Sequence, residues 1–405
     1  MRFFNTEGPV VPEDHYSVPP LRRWDLPEVL ALIDRKKYFL LHAPRQTGKT
    51  TCLLALADHV NRAGHHRAVY ANLEPAQAAR ENVALGMTGI VQTIAAEAAW
   101  QIQDSTAEAL AREVLAEQAA TVALGQFLAR WCARSPQPLV LLLDEVDALI
   151  GDTLISLLRQ LRAGYPKRPT RFPQTVILCG VRDLRDYRIR ASAEKAVITG
   201  GSAFNIKAES LRLGDFNAAE VQALLQQHTE ETGQAFAPEA LAAVWTLTQG
   251  QPWLTNALAY EACFRMPAGR DRRQPITGER IAEAKENLIQ RRVTHLDQLA
   301  DKLREDRVRR VIEPMLAGRT LEDAAPDDID YLIDLGLCRM APGQGLTLAN
   351  PIYREVLPRT LAFMPQASLP TITPTWLDAD GTLSPERLLD AFLRFWRQHG
   401  QPLLG

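Results

Sequence analysis

Cysteine is sparse in these 405 residues, and the spacings that make it chemically useful are missing. Cys52, Cys132, Cys179, Cys263 and Cys338 are scattered, odd in number and free of any C-x-x-C pair. That excludes a disulfide framework and a zinc cluster, and leaves small core residues in apolar runs. An excess of charge is also lacking. The formal net charge is −2, so attraction to nucleic acid would have to come from local patches. The start, Met1-Arg-Phe-Phe-Asn-Thr-Glu7, has no apolar signal-peptide core, and no run is long enough to span a bilayer. A cytoplasmic protein with no membrane partner is expected. Internal repeats and low-complexity tracts are missing too. What remains has the composition of an ordinary globular chain, long enough for two or three domains.

Against that plain background one stretch stands out: Tyr38-Phe-Leu-Leu-His-Ala-Pro-Arg-Gln-Thr-Gly-Lys-Thr-Thr51. The run from Tyr38 to Leu41 predicts a buried strand. A tight loop follows, and Gly48-Lys49-Thr50 opens a helical pattern through Leu53, Leu54, Leu56 and Ala57. Strand, loop and helix in that order suit a nucleoside triphosphate, because backbone N–H groups and the helix dipole face the phosphates. Ala43, Pro44, Arg45, Gln46, Thr47, Gly48, Lys49, Thr50 and Thr51 are the candidate phosphate-binding residues. Lys49 is placed to hold the β- and γ-phosphates, and the Thr50 hydroxyl to take one Mg²⁺ position. The pattern G-x-x-x-x-G-K-[ST] has Ala43 in its first position. A mild effect is expected, since alanine still permits a close approach.

A second stretch, Leu139-Val-Leu-Leu-Leu-Asp-Glu-Val-Asp147, is an aliphatic run ending in acids. Its continuous apolar character predicts a strand buried on both faces of a parallel sheet, with its carboxyl end at the ligand edge. Asp144 is the candidate Mg²⁺ ligand, through water, and Glu145 the group that polarises an attacking water. Each motif alone has a bland explanation, a chance GKT or a strand ending in solvated acids. Together they point to a P-loop ATPase that binds ATP or ADP with Mg²⁺.

The rest of the chain fits around these two. Residues 1–20 form a Pro-rich arm. A helical pattern over Leu26, Val29, Leu30 and Ile33 precedes the first strand, and Ala68 to Leu73 reads as the second. Pro75 to Ala133 has helical spacing and few breakers, predicting two or three helices packed on the sheet. Thr153 to Leu161 is helical, Ala163 to Pro173 is a basic loop, and Thr175 to Val181 is the fourth strand. Arg182 follows at once and is the candidate sensor of the γ-phosphate. Of Arg185, Arg188 and Arg190, two of the three are expected to be solvated surface charge. A fifth strand is expected near Ala208 to Leu213, ending a first domain over 21–213.

Beyond it the period is helical. Asn217-Ala-Ala-Glu220 is a capping-box pattern. Pro238 to Leu247 is helical, Thr248 to Leu254 is a break, and another helix runs to about Phe264. A basic link, Arg265 to Thr277, leads into a long charged helical stretch from Gly278 to about Leu316. Pro326 to Leu335 followed by two short strands around Pro342-Gly-Gln-Gly345 has the outline of a winged helix. Pro365 to Pro374 reads as a linker to a last helix, Pro385 to Gln398. Glu283-Ala-Lys285, the one E-x-K, lies in a helical pattern with no strand around it and reads as a surface pair, not a nuclease centre.

Taken in order, Ala43 to Thr50, Leu141 to Asp147, Arg182 and Gly250-Gln-Pro252 resemble AAA+-like P-loop ATPases of the STAND type. The resemblance, over about residues 10–365, is to their bacterial and archaeal branch related to origin-recognition ATPases. It implies an α/β P-loop parallel-sheet domain (21–213), a helical lid (214–277), a winged-helix-like domain (278–365), and a linker with a C-terminal helix (366–405). It also implies an ATP-hydrolysing switch in which Pro252, with Trp253, lies near the base and reports nucleotide state, and Tyr16, with the segment to Pro20, closes over adenine. An ordinary helix–helix turn accounts equally for Gln249 to Pro252, and an ordinary N-terminal arm for Tyr16 to Pro20. Two alternatives stand beside the switch. One is a DNA-binding ATPase using the winged helix or the basic 265–310 region, whose interleaved acids fit a solvated face as well. The other is a nucleotide-locked scaffold with little turnover, partnered by a protein effector or by self-association.

Overall fold

The computed structural model describes residues 1–181, 188–190, 197–199, 207–291, 294–321, 324–341, 343–368, 376 and 382–399. The chain divides into two units, 1–356 and 357–405. The larger is built on a five-stranded sheet of β1 (Tyr38–His42), β2 (Arg67–Asn72), β3 (Leu139–Asp144), β4 (Thr175–Gly180) and β5 (Lys207–Arg212). Every pairing is parallel, in the order β2-β3-β4-β1-β5. All residues of β1, β3 and β4 are buried, as uninterrupted aliphatic runs require when helices cover both faces. The register aligns Asn72 with Asp144 and His42 with both Gly180 and Arg212. All five carboxyl ends therefore meet at one edge, where open α/β sheets bind ligands.

One face is covered by α1 (Leu26–Asp34) and α2 (Lys49–Ala63), whose Val29, Ile33, Cys52, Leu53 and Leu56 pack on Phe39, Leu41 and Leu142. The other carries α3 (Val83–Gln101), α4 (Ser105–Glu117), α5 (Ala120–Arg134) and α6 (Gly151–Gly164). The Ala-rich stretch thus forms three helices in a layer on the sheet. By length and composition α3 is apolar enough to cross a bilayer, contrary to expectation from the sequence. Its Met87, Ile90, Val91, Ile94 and Ala98 are buried in this core, so the apolar surface that passes such a test is consumed by packing. All five cysteines are free and buried.

A second core gathers α7 (Ala218–Thr232), α8 (Pro238–Thr248), α9 (Pro252–Tyr260) and α10 (Gly278–Gln290) around Phe4, Tyr16 and Val18 from the N-terminal arm. The capping box at Asn217 and Glu220 is formed in both directions. A π-helical turn, Glu261–Arg265, extends α9.

The long charged stretch does not form one helix. After α10 come α11 (Thr294–Lys302) and α12 (Asp306–Leu316). Buried positions keep helical spacing through Leu296, Leu299 and Leu303, then slip five residues to Val308. A straight helix would carry Val308, Val311 and Ile312 off the buried side, and a turn at Arg304 and Glu305 restores the phase. Next come α13 (Pro326–Asp334) and an antiparallel hairpin of β6 (Cys338–Ala341) and β7 (Gly345–Leu348). α14 (Pro351–Ser368) then runs through Pro365, where a linker was expected. Pro351, Pro358 and Pro365 recur every seven residues, so the missing N–H groups fall along one side and the rest of the ladder persists. In the smaller unit α15 (Pro385–His399) stacks Phe392 on Trp396.

Candidate functional site

The loop between β1 and α2 is held by its own backbone and one arginine. Gln46 and Gly48 have φ of 58° and 88°, while Ala43 is buried at an ordinary φ. The alanine in the first pattern position therefore costs the loop no strain. The Thr47 hydroxyl donates to the Pro44 carbonyl at 2.8 Å. Arg23 donates to the Thr47 and Gly214 carbonyls and lies 4.8 Å over the Phe216 ring, clasping the loop to the start of the second core. Lys49 is buried, and its Nζ donates to the Ala43 and Pro44 carbonyls at 3.0 Å each. A buried ammonium at the head of α2 is thus fixed at the loop mouth.

The acid strand meets this loop directly. Asp144 is fully buried, and its Oδ2 accepts from the Thr50 hydroxyl at 2.7 Å and the Tyr70 hydroxyl at 3.0 Å. Its Oδ1 accepts from the Glu145 N–H at 2.9 Å. Hydroxyl and carboxylate are hard oxygen donors, the set Mg²⁺ prefers. Glu145 has φ of 54°, a left-handed turn that lifts its side chain from the strand line. Burial first, then the charges of Asp147 and Asp144, push its carboxyl above the ordinary 4.5, against the pull of Lys49 and Arg45. Asp147 Oδ2 accepts from the Val181 N–H at 3.3 Å, tying the acid turn to the end of β4. Its Oδ1 is buried with no partner among the described residues.

Two cavities flank the loop and share walls. The first, about 110 Å³, is lined by Gln46, Gly48 and Thr51 together with Tyr16, Pro252 and Trp253. The second, about 400 Å³, is lined by Pro44, Arg45 and Asp147 together with Gln251, His295 and Tyr353. Consecutive residues of one turn, Gln251 and Pro252, therefore face different cavities. Gly250 makes that turn possible. Its φ is 79°, its carbonyl accepts from the Phe216 N–H at 2.8 Å, and a Cβ there would lie 1.8 Å from the Phe216 carbonyl oxygen. Trp253 donates to the Thr6 carbonyl and stacks on His295 at 4.7 Å; His295 Nε2 lies 2.7 Å from the Tyr353 hydroxyl. A continuous set of side chains thus joins the first cavity to α11 and α14. The α13–hairpin segment also touches the sheet edge: Arg212 donates to the Ile333 carbonyl, and a Cβ on Gly336 would lie 2.7 Å from Pro44.

The structure thus brings together Ala43 to Thr51, Asp144, Glu145, Tyr16 and Pro252. Arg182 lies outside the described residues. Trp253 was expected beside Pro252 through the resemblance alone; nothing in the sequence pattern pointed to Arg23, Tyr70, His295 or Tyr353. Many basic side chains of the 265–310 region have acidic partners: Arg291 with Glu261, Lys302 with Glu305, Arg307 and Arg310 with Asp328, Arg309 with Glu313. Arg272 points inward, donating to Gln234 and the Cys263 carbonyl. Lys285 of the E-x-K lies on α10 and pairs with Glu355 and Glu286, while Glu283 is exposed.

A phosphate loop and an acid-tipped strand, with a third strand inserted between them in a parallel sheet, define a P-loop ATPase fold. Residues 19–170 match the AAA ATPase domain family, so the chain carries a nucleotide-binding domain of AAA type. No curated protein matches the chain. Among solved structures, a Walker-type ATPase of Pyrococcus abyssi, paby2304, is 15% identical with a TM-score of 0.58, over 88% of this chain and 99% of its own. The RuvB Holliday junction branch migration motor of Thermotoga maritima is 12% identical (TM-score 0.39; 81% and 90% covered). Cdc6p from Pyrobaculum aerophilum is 13% identical (TM-score 0.42; 86% and 93% covered).

Proposed function

We infer that this chain is an ATP-binding, ATP-hydrolysing switch of the STAND and AAA+ kind, in which the second core acts as a lid and α11 to β7 as a winged-helix unit. The observation that carries this reading is the shared wall. The phosphate loop and the Gly250-Gln-Pro252 turn each line both cavities, so a nucleotide held by the first presses on the elements around the second. The domain division is then a nucleotide domain over 21–213, a lid from 214 and a winged-helix-like unit to 365, with α10 on the lid side because its Ile281, Ala284 and Leu288 lie in the second core.

In this reading Ala43 to Thr51 cradle the phosphates, Lys49 turns from the loop carbonyls to the β- and γ-phosphates, and Tyr16 and Pro252 flank the base. Thr50 and Asp144, already bonded to each other, would hold Mg²⁺, which neutralises charge on the phosphates when bound. Glu145 accepts a proton from the attacking water, and its raised proton affinity suits that role. Arg182 senses the γ-phosphate. The paired cations of 265–310 favour a structural role there over a nucleic-acid surface. Phosphate release tests the enzyme: release by the wild type that falls sharply in Glu145→Gln supports hydrolysis at this site, and release unaltered in that variant overturns the role of Glu145. A wild-type protein that holds ATP without measurable release is the locked scaffold.

A further inference from the structure

The first cavity is walled by rings, and many of the polar groups around it are already committed. Asn5 donates from its Nδ2 to the Gly8 carbonyl and accepts from the Glu7 N–H. The Thr51 hydroxyl accepts from the Val10 N–H, and both Ser17 backbone groups are bonded to Gln227. Arg23 is spent on the Thr47 and Gly214 carbonyls. Among the described residues lining this cavity, one buried side-chain polar atom has no partner: Oδ1 of Asn256.

Its chemical identity is set by the helix. Asn256 is 91% buried on α9, one turn after Pro252, and its Nδ2 donates to the Pro252 carbonyl at 2.8 Å. Turning the amide over would set oxygen against carbonyl oxygen, so the free atom is the acceptor. A buried acceptor left unmatched is costly, and a ligand that supplies a donor recovers the loss. The exocyclic amine at C6 of adenine is such a donor. A 6-oxopurine presents a carbonyl at the same place, and two acceptors repel.

We propose that Asn256 selects the base, its Oδ1 accepting from the C6 amine so that this site takes adenine rather than 6-oxopurine nucleotides. The inference rests on the nucleotide reading above and goes beyond it by naming the group that discriminates. Phe216, Tyr16 and Trp253 supply the apolar walls, which any purine satisfies. Discrimination is left to the one unmatched atom.

Calorimetric titration with ADP, IDP, purine riboside 5′-diphosphate and N6,N6-dimethyl-ADP, all with Mg²⁺, tests this. ADP should bind wild type about 10- to 100-fold more tightly than IDP, the penalty of an unmatched buried polar atom. The purine riboside and dimethyl analogues, which lack the donor hydrogens without adding an acceptor, should fall between. In Asn256→Leu, of similar volume, ADP and IDP should agree within about threefold. The analogue series in wild type stands even if that variant folds poorly. Equal affinity for ADP and IDP in wild type overturns the role of Asn256 and leaves the nucleotide site intact. Binding of none of the four removes the nucleotide reading, and the proposal with it.

Discussion

In the proposed reading Lys49 both ties the loop and binds phosphate, and a substitution separates the two. Its ammonium caps two loop carbonyls, so Lys49→Ala should lower stability by about 1 kcal/mol through lost hydrogen bonds. The functional readout is the difference with and without nucleotide. A ligand at a hundred times its Kd stabilises by about 2.7 kcal/mol, a shift that should vanish in the variant. An undiminished shift with ATP in thermal melts would place the phosphates elsewhere. Glu145→Gln is the complementary case: size is retained and only the charge beside water is lost. ATP should still protect the fold while kcat falls about 10²- to 10⁴-fold. Unchanged turnover would move the role to Asp147, whose Oδ1 is buried without a partner among the described residues.

At the scale of elements the turn between α8 and α9 is the most constrained. Gly250→Ala adds a Cβ that collides with the Phe216 carbonyl at a positive φ, so a loss of about 2 kcal/mol or more is expected. Gly233→Ala, at a φ of 77° with open space around it, should cost only about 1 kcal/mol. Similar urea midpoints for the two variants would show that the backbone at Phe216 yields. The stacked His295 yields a pH prediction. Burial alone depresses it from 6.5 to about 4. The folded state therefore binds its proton less readily than the unfolded chain does. Its neutral form supports the fold fully above pH 6.5, and that support is lost as pH falls toward 4. His295→Phe should flatten this part of the curve of melting temperature against pH; a variant that tracks wild type through the window would exclude the histidine as its source.

For the molecule as a whole, the two cavities predict that nucleotide state reaches α11 to β7. A ligand shifts such an equilibrium only through its different affinity for the two arrangements. Hydrogen exchange over 294–353 should therefore differ between ADP and a non-hydrolysable ATP, with ADP giving the greater protection. Pro252→Ala frees the backbone at the shared turn and should weaken the difference without unfolding the sheet. Protection that ignores nucleotide in both proteins would make the helical half a passenger.

Local pattern is enough to read the buried strands and the loop and acids at their ends. An aliphatic run can be satisfied only by burial on both faces, and GKT after one such run and paired acids after another read locally as loop and strand tip. That covers β1, β3, Lys49, Thr50, Asp144 and Glu145. Local pattern did not reach the long charged stretch, because a five-residue slip in the buried positions matters only once there is a surface to face. Folding alone sets Gln251 and Pro252 against different cavities, ties Arg23 to the Thr47 and Gly214 carbonyls, and leaves Asn256 with an unmatched acceptor. Each depends on groups far apart in the chain, and whether a polar atom has a partner is a property of what folding brings beside it.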